Sequence, residues 1–332
     1  MALSTDGGLY IRQEVTKYVR DWYRTVYPDR WAARGEHHTA VGDLMLGEKR
    51  IVVPRIEAAG KASIYTGRAI DIPLLKLGAT ADEWQTRIVI MRAEWDYIAD
   101  IAPQEAANHS GFYPRRNIVR ELMDGLKDKI TERIHELVCF GDPAEGMDGL
   151  FYTDLIEPLQ IPAGVNVHTL PALEKYNLIR RYLKEFHKRS KLTAEAVKML
   201  CTIDLYDSLL EPFPQYNDTP LDRLIGRTGE HGRYVREIIP VNELSAELLE
   251  EYGVMQSDQG RERFILCEDR KLPTEQKMQP SIIRQFYGLD YTNPRQATDT
   301  TWSMTAFEAT SEMQFRQPFK TMFVDYDKFV EA

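Results

Sequence analysis

Apolar side chains recur every four residues at Ile118, Leu122, Leu126, Ile130, Ile134 and Val138, with Val119, Met123 and Leu137 beside them. That spacing draws one apolar stripe along a helix. The remaining faces carry Arg115, Arg116, Arg120, Glu121, Asp124, Lys127, Asp128, Lys129, Glu132, Arg133 and Glu136, so the helix is expected to be half buried and half solvated. Pro114 suits its first turn, where a missing N–H costs nothing. A helix from Pro114 to Val138 would span roughly 37 Å at about 1.5 Å per residue, long enough to act as a spine. Gly141, Gly146 and Gly149 in the following stretch, 139–152, predict a sharp turn.

Elsewhere the periodicity changes. Val15, Tyr18, Val19, Trp22, Tyr23 and Val26 follow helical spacing, and the helix is expected to stop at Tyr27, before Pro28. Its other faces carry Arg12, Lys17, Arg20 and Arg24, which suits an arm that docks on a neighbouring subunit, lies near a polyanion or packs on its own domain. Between Ile51 and Ile98 the period is two. Ile70 and Ile72 alternate with Ala69 and Asp71, Pro73 ends that strand, and a turn is expected at Gly78–Ala79–Thr80. The pattern resumes with Arg87, Val89 and Met91 on one face and Ile88 and Ile90 on the other. Two long strands around a 74–78 tip predict an extended hairpin, too mixed in polarity on both faces to cover one core. Such a hairpin is expected to reach a partner.

Beyond the glycine turn, Thr169 and Pro171 open a predicted helix with Leu173, Tyr176, Ile179, Leu183 and Phe186 on its apolar face. Val197, Met199, Cys201 and Ile203 alternate with Lys198, Leu200 and Thr202 and predict a strand. Turn residues from Pro212 to Pro220 lead to a short helix at 221–225. Strands are expected at 234–241 and 263–267, a helix at 245–252 between them, and a strand-rich tail from Trp302 to Tyr326. No internal repeat or low-complexity segment is present.

Composition narrows the function classes. The chain of 332 residues is 43% hydrophobic and 28% charged, ordinary for a soluble protein, and has room for two subdomains. No apolar run approaches the roughly 20 residues of a membrane helix. The first residues lack the basic and apolar regions of a signal peptide, so the chain is expected to be made and used in a cytoplasm, or in something assembled there. Cys139, Cys201 and Cys267 are odd in number and in no CxxC pair, so each is expected to pack as a small buried side chain and not in a disulfide or zinc ribbon. A net charge of −9 argues against a dedicated nucleic-acid binder with a broad basic face, though not against local contact with a polyanion.

Candidate chemistry is sparse. Gly226, Gly229 and Gly232 match neither a dinucleotide fingerprint nor a phosphate loop, and read as a surface loop. Asp142, Glu145 and Asp148 are too few and wrongly spaced for a calcium loop and read as a solvated turn. Glu105 and His109 stand four apart with Asp100 near, which is metal-ligand spacing on a helix, but no second histidine completes the set. His37 and His38 are adjacent, so their side chains diverge on any regular element. No nucleophile signature is present. No catalytic residue, cofactor or metal site is expected.

The order of parts is distinctive: basic N-terminal helix, long hairpin, spine helix, glycine turn, mixed region, returning strand. That succession resembles the major capsid proteins of tailed bacteriophages, the Hong Kong 97-type fold family. The likeness is carried best by Gly60–Pro73 (GKASIYTGRAIDIP), similar to the outgoing strand of the family's extended loop, and by Cys139–Phe151 (CFGDPAEGMDGLF), similar to its post-spine turn. Phe315–Tyr326 resembles the strand that closes the peripheral domain. The resemblance implies an α+β fold, with an N-terminal arm and lead-in (1–50), an extended loop (51–100) and a peripheral domain holding the spine (101–165). An axial domain (166–285) and a return to the peripheral domain (286–332) complete it. It implies a structural protein without active site or cofactor, one that tiles an icosahedral shell around a phage genome as hexamers and pentamers. Arg20, Trp22 and Arg24 in the arm, and Leu74, Leu75, Lys76 and Leu77 at the loop tip, become the candidate intersubunit contacts. Scaffold, portal and decoration proteins are the further partners, contact with packaged DNA is expected to be weak and non-specific, and no membrane is involved. The expected location is the virion capsid, assembled in the host cytoplasm.

An encapsulin-type nanocompartment shell protein is the alternative on the same fold. A metal-dependent enzyme using Asp100, Glu105 and His109 ranks below it, as does another virion part such as a portal or tail protein.

Overall fold

The computed structural model describes residues 30–59, 76–96, 118–162, 165–191, 197–214, 217–225, 235–255, 260–268, 281–298 and 300–328, with backbone alone at 54–59, 76–79 and 118. Two sheets and a long helix organise these residues. The first sheet has seven strands. Its path runs from β1 (Thr39–Val41) through β8 (Ile282–Tyr291), β10 (Thr301–Ser311) and β3 (Lys76–Asp96) to β2 (Arg50–Ala59), with β9 (Arg295–Gln296) on β10 and β11 (Gln314–Phe315) on β8. The second has five strands, in the order β4 (Leu159–Gln160), β12 (Thr321–Asp327), β7 (Arg261–Glu268), β5 (Val197–Cys201) and β6 (Val235–Pro240).

The spine is α2 (Ile118–Phe140), 23 residues or about 34 Å long. It continues two residues past the expected Val138, because the Gly141 N–H still bonds to Leu137 O at 2.9 Å. There Gly141 takes φ +72° and ends it. The stripe read from the sequence is the buried face. Leu126, Ile130, Ile134, Leu137 and Val138 are all buried, and Leu126, Ile130, Ile134 and Val138 form one core with Met304 and Ala306 of β10 and Ile265 and Phe323 of the second sheet.

Strict alternation places the second sheet between two cores. In β7, Ile265 and Cys267 face the spine, while Phe264 and Leu266 face away from it. In β12, Phe323 faces the spine and Met322, Val324 and Tyr326 face away. The far side is covered by α3 (Ala172–Arg189), α4 (Ile203–Leu209) and α5 (Pro220–Leu224), while α6 (Ala246–Glu251) packs on the spine side. Strands buried on both faces need continuous apolar runs, which β7 has from Phe264 to Cys267 and β5 from Met199 to Cys201.

Four local expectations are corrected. Gly78–Ala79–Thr80 is not a turn but lies within β3, where Gly78 pairs with Glu57 and Thr80 with Arg55. A glycine permits a turn without imposing one, and here the partner strand satisfies the backbone. Residues 76–78 are accordingly not at the tip, since Lys76 already pairs with Ala59. Ile203 does not extend β5, because the Thr202 hydroxyl caps Leu205 N at 3.2 Å and starts α4, leaving Ile203 exposed. Leu173 is exposed, and Lys175 is buried in its place, its ammonium donating to Ser208 O and Glu211 Oε2 at 3.3 and 2.8 Å. The tail also divides: β10 belongs to the first sheet, whereas β12 lies between β4 and β7 in the second.

Candidate intersubunit surfaces

β3 is a single strand of 21 residues that changes partner halfway. From Lys76 to Gln85 it pairs with β2, and from Thr86 to Asp96 with β10. The switch also changes edge. Thr86 N donates to Lys49 O on the β2 side, whereas Gln85 O accepts from Glu312 N on the β10 side. Neighbouring residues of a strand point their N–H and C=O groups to opposite edges. The first half of β3 therefore runs beyond the end of β10, carrying β2 with it. This ladder has the 10 residues of β2, about 33 Å. Among the described residues β2 has no sheet partner except β3.

The base of this hairpin is clamped. Glu312 accepts from Gln85 N at 2.7 Å and from Asp148 N at 3.2 Å, joining the hairpin to the post-spine turn. Thr86 donates its hydroxyl to Glu48 O, and Arg87 pairs with Glu145 at 3.2 Å. Asp148 accepts from the Thr153 hydroxyl at 2.7 Å. Burial pushes both carboxyls, Asp148 and Glu312, above the usual range. The turn itself is closely packed: a Cβ on Gly141 would lie 2.1 Å from Met147 O, and one on Gly149 would lie 2.2 Å from Gly141 N. Arg263 holds its far end, donating to Phe151 O while forming a two-pronged pair with Asp325 at 2.6 and 3.0 Å.

The lead-in is strapped to the same body. Trp31, in α1 (Trp31–Arg34), is buried against His37, His135 and Phe151, with ring centroids 4.6, 5.5 and 6.0 Å away. Arg30 reaches Asp128 and Glu132 of the spine. Arg284 donates to Ala33 O at 3.1 Å, and burial lowers its guanidinium to about 10. His37 Nδ1 accepts from the Lys198 ammonium at 3.1 Å, and His135 Nε2 donates to Glu243 at 2.8 Å. Burial raises the Glu243 carboxyl, but hydrogen bonds from His135, the backbone and Trp31 outweigh it and hold the group low. Sequence reasoning missed this cluster, whose members come from six separated segments. The signal was there in His135, a polar residue beside the apolar stripe.

One sheet face is left uncovered among the described residues. Ile88 and Ile90, 47% and 66% exposed, stand opposite Ala309 and Phe307, and Phe307 stacks on Tyr287 with centroids 6.4 Å apart. Met45, Leu46 and Val52 are exposed as well. The three cysteines are buried and form no disulfide, and burial raises the Cys139 and Cys201 thiols.

Of the contacts read from the sequence, Arg20, Trp22, Arg24, Leu74 and Leu75 lie outside the described residues, as do Asp100, Glu105, His109, Gly226, Gly229, Gly232 and the segment 60–73. Lys76 and Leu77 are placed by their backbone at the start of β3, opposite Ala59 and Ala58.

No family model matches the chain, and no curated protein matches it by sequence. Solved structures do. The capsid of Myoviridae phage XM1 matches with a TM-score of 0.69 at 11% identity, over 96% of this chain and 99% of that one. The mature capsid of bacteriophage PhiM1 matches at 0.57 and 11%, over 95% and 93%. The SrpI encapsulin complex from Synechococcus elongatus PCC 7942 matches at 0.51 and 13%, over the full length of both chains. With its spine, clamped hairpin and two sheets, the chain has the α+β Hong Kong 97-type fold of tailed-phage major capsid proteins.

Proposed function

We propose that the chain is a major capsid protein, assembling as hexamers and pentamers into an icosahedral shell that encloses a phage genome. One observation carries this reading: the β2–β3 ladder extends some 33 Å and, among the described residues, has no sheet partner of its own beyond the clamp at Glu312. Such an element contributes little to its own subunit's core and suits contact with a neighbour. The fold supports it, since the capsids of phages XM1 and PhiM1 share the architecture. In this reading the role is structural and not catalytic, and the place of action is the virion. Arg20, Trp22 and Arg24 of the arm and Leu74, Leu75, Lys76 and Leu77 near the hairpin end are the subunit contacts. Residues 1–50 serve as arm and lead-in, 51–100 as extended loop, 101–165 as peripheral domain, 166–285 as axial domain and 286–332 as the return. Scaffold, portal and decoration proteins are the partners such a shell would meet.

The experiment is sedimentation and negative-stain microscopy of purified chain, alone and with the head proteins encoded beside it. Closed shells or capsomers are expected. A 38.4 kDa monomer under every assembly condition would overturn the reading. The encapsulin alternative has the full-length match to the SrpI complex behind it, at the lower TM-score of 0.51. Shells carrying protein cargo in place of nucleic acid would decide for it.

A further inference from the structure

Helix α3 carries the most one-sided charge of any described element in this acidic chain. Between Asn177 and Lys191 the only carboxylate is Glu185, against Arg180, Arg181, Lys184, Lys188, Arg189 and Lys191, in a chain whose net charge is −9. At about 100° per residue, Arg180, Arg181, Lys184 and Lys188 fall within an arc of roughly 100°. All four are exposed. The opposite side, with Ile179, Leu183 and Phe186, is sealed into the core on the far side of the second sheet from the spine. Glu185 is shared between Lys188 at 3.7 Å and Arg189 at 3.9 Å, which leaves the arc a large cationic excess.

Two ordinary explanations fall short. Cations in the last turn of a helix complement its dipole, and Lys188 and Arg189 meet that need. Arg180, Arg181 and Lys184 lie further back, where the dipole effect has decayed. A contact between copies of the chain would be expected to carry aromatic or aliphatic anchors and to be poor in lysine. This arc has two lysines among its four cations; Tyr176 lies beneath Arg180 at 5.9 Å, and the exposed Leu173 stands two turns before the arc. Long solvated cations on a rigid support suit a polyanion that is held without being read. Eight residues of helix span about 12 Å, and duplex DNA presents a phosphate about every 3.4 Å of axis on each strand.

We infer that the exposed face of α3 binds the phosphate backbone of double-stranded DNA, and that it faces the genome in the assembled shell. The second half rests on the capsid reading; the first does not. Contact through four cations predicts non-specific binding that weakens roughly 150-fold between about 50 and 200 mM salt, following counterion release.

The test measures binding of the full-length chain to a short fluorescent DNA duplex across a salt series. Three chains are compared: wild type, a charge-reversed Arg181→Glu/Lys184→Glu/Lys188→Glu variant, and a Lys127→Glu/Lys129→Glu/Arg133→Glu variant on the spine with the same change in net charge. Circular dichroism checks each fold, and glutamine replaces glutamate in the set if the reversal unfolds the chain. The α3 variant is expected to lose most of its affinity at low salt and to keep only about a four-fold salt dependence, as for one remaining contact. The spine variant should keep most of both. Equal losses in the two variants, or unchanged binding in the α3 variant, would overturn the inference. So would soluble α3-variant subunits that bind DNA normally but no longer assemble, which would make the face a subunit contact. DNA binding that depends on α3 in a chain that never forms shells would sustain the phosphate site while refuting the capsid reading.

Discussion

Glu312 shows how much geometry one side chain can hold. Its two oxygens accept from Gln85 N and Asp148 N, so removing them leaves two part-buried backbone donors unmet. Each unmet donor costs about 1–3 kcal/mol, and Glu312→Ala is expected to destabilise the subunit by about 2–4 kcal/mol in denaturant titrations. Glu312→Gln keeps an acceptor and should cost less. It also isolates a pH effect. Burial raises the Glu312 carboxyl, and the charge of Asp148 adds to it, despite the backbone donors and Arg87. The folded chain thus holds this proton more tightly than the unfolded chain. Stability from this group is fully present at acid pH and is lost as pH rises through the raised value. The stability difference between wild type and Glu312→Gln should therefore move in favour of wild type as pH falls from about 7 to 5. A difference that stays constant across that range would disprove the sign. Gly149 is the other decisive position, since a methyl group there would overlap the backbone at Phe140 and Gly141. Gly149→Ala is expected to yield insoluble chain, where Gly146→Ala, with open space around it but a φ of +68°, should cost only about 1 kcal/mol.

At the scale of elements, the spine is the part the subunit cannot lose. Leu126 and Ile130 are 3% and 1% exposed, mid-stripe, and truncating either to alanine should cost about 2–5 kcal/mol by thermal or chemical denaturation. Lys127→Ala on the wet face should be near neutral, and equal effects at the two positions would mean the wrong face is buried. This stripe was legible because a helix half in water repeats its pattern over six turns. The strand alternation at Ile88–Ile90 was legible for the same reason, with Val89 inward and Ile88 and Ile90 outward, whereas Met91, expected on the face of Val89, is exposed. Where the sequence misled, one local cue competed with a distant partner. Gly78 suggested a turn, yet pairing with Glu57 kept it in a strand. Ile203 continued an alternation that the Thr202 cap cut short. His135 marked the strap, but its partners Trp31, His37 and Glu243, like those of the Glu312 clamp, were not legible, because contacts across a hundred residues or more leave no periodicity.

At the scale of the molecule, the hairpin separates subunit stability from assembly. Glu57 and Gly78 are partners across the ladder, so residues 58–77 can be replaced by an Asn-Gly turn that closes the shortened hairpin in register. The product is expected to be soluble, with the helical signal of the spine intact and no shells by sedimentation or microscopy. Aggregation would mean instead that the segment covers its own core, and robust shells would remove it from assembly altogether. The continuity of β3 has a mechanical consequence as well. Because one strand serves both hairpin and sheet, a pull on the hairpin's far end travels straight along the chain into the 11-residue ladder with β10. Antiparallel bonds lie across the strand, so an axial pull loads them together in shear and does not peel them one at a time. A wall of such subunits, strained from within, would be loaded along its toughest direction, with β3 as the tie rod between neighbours.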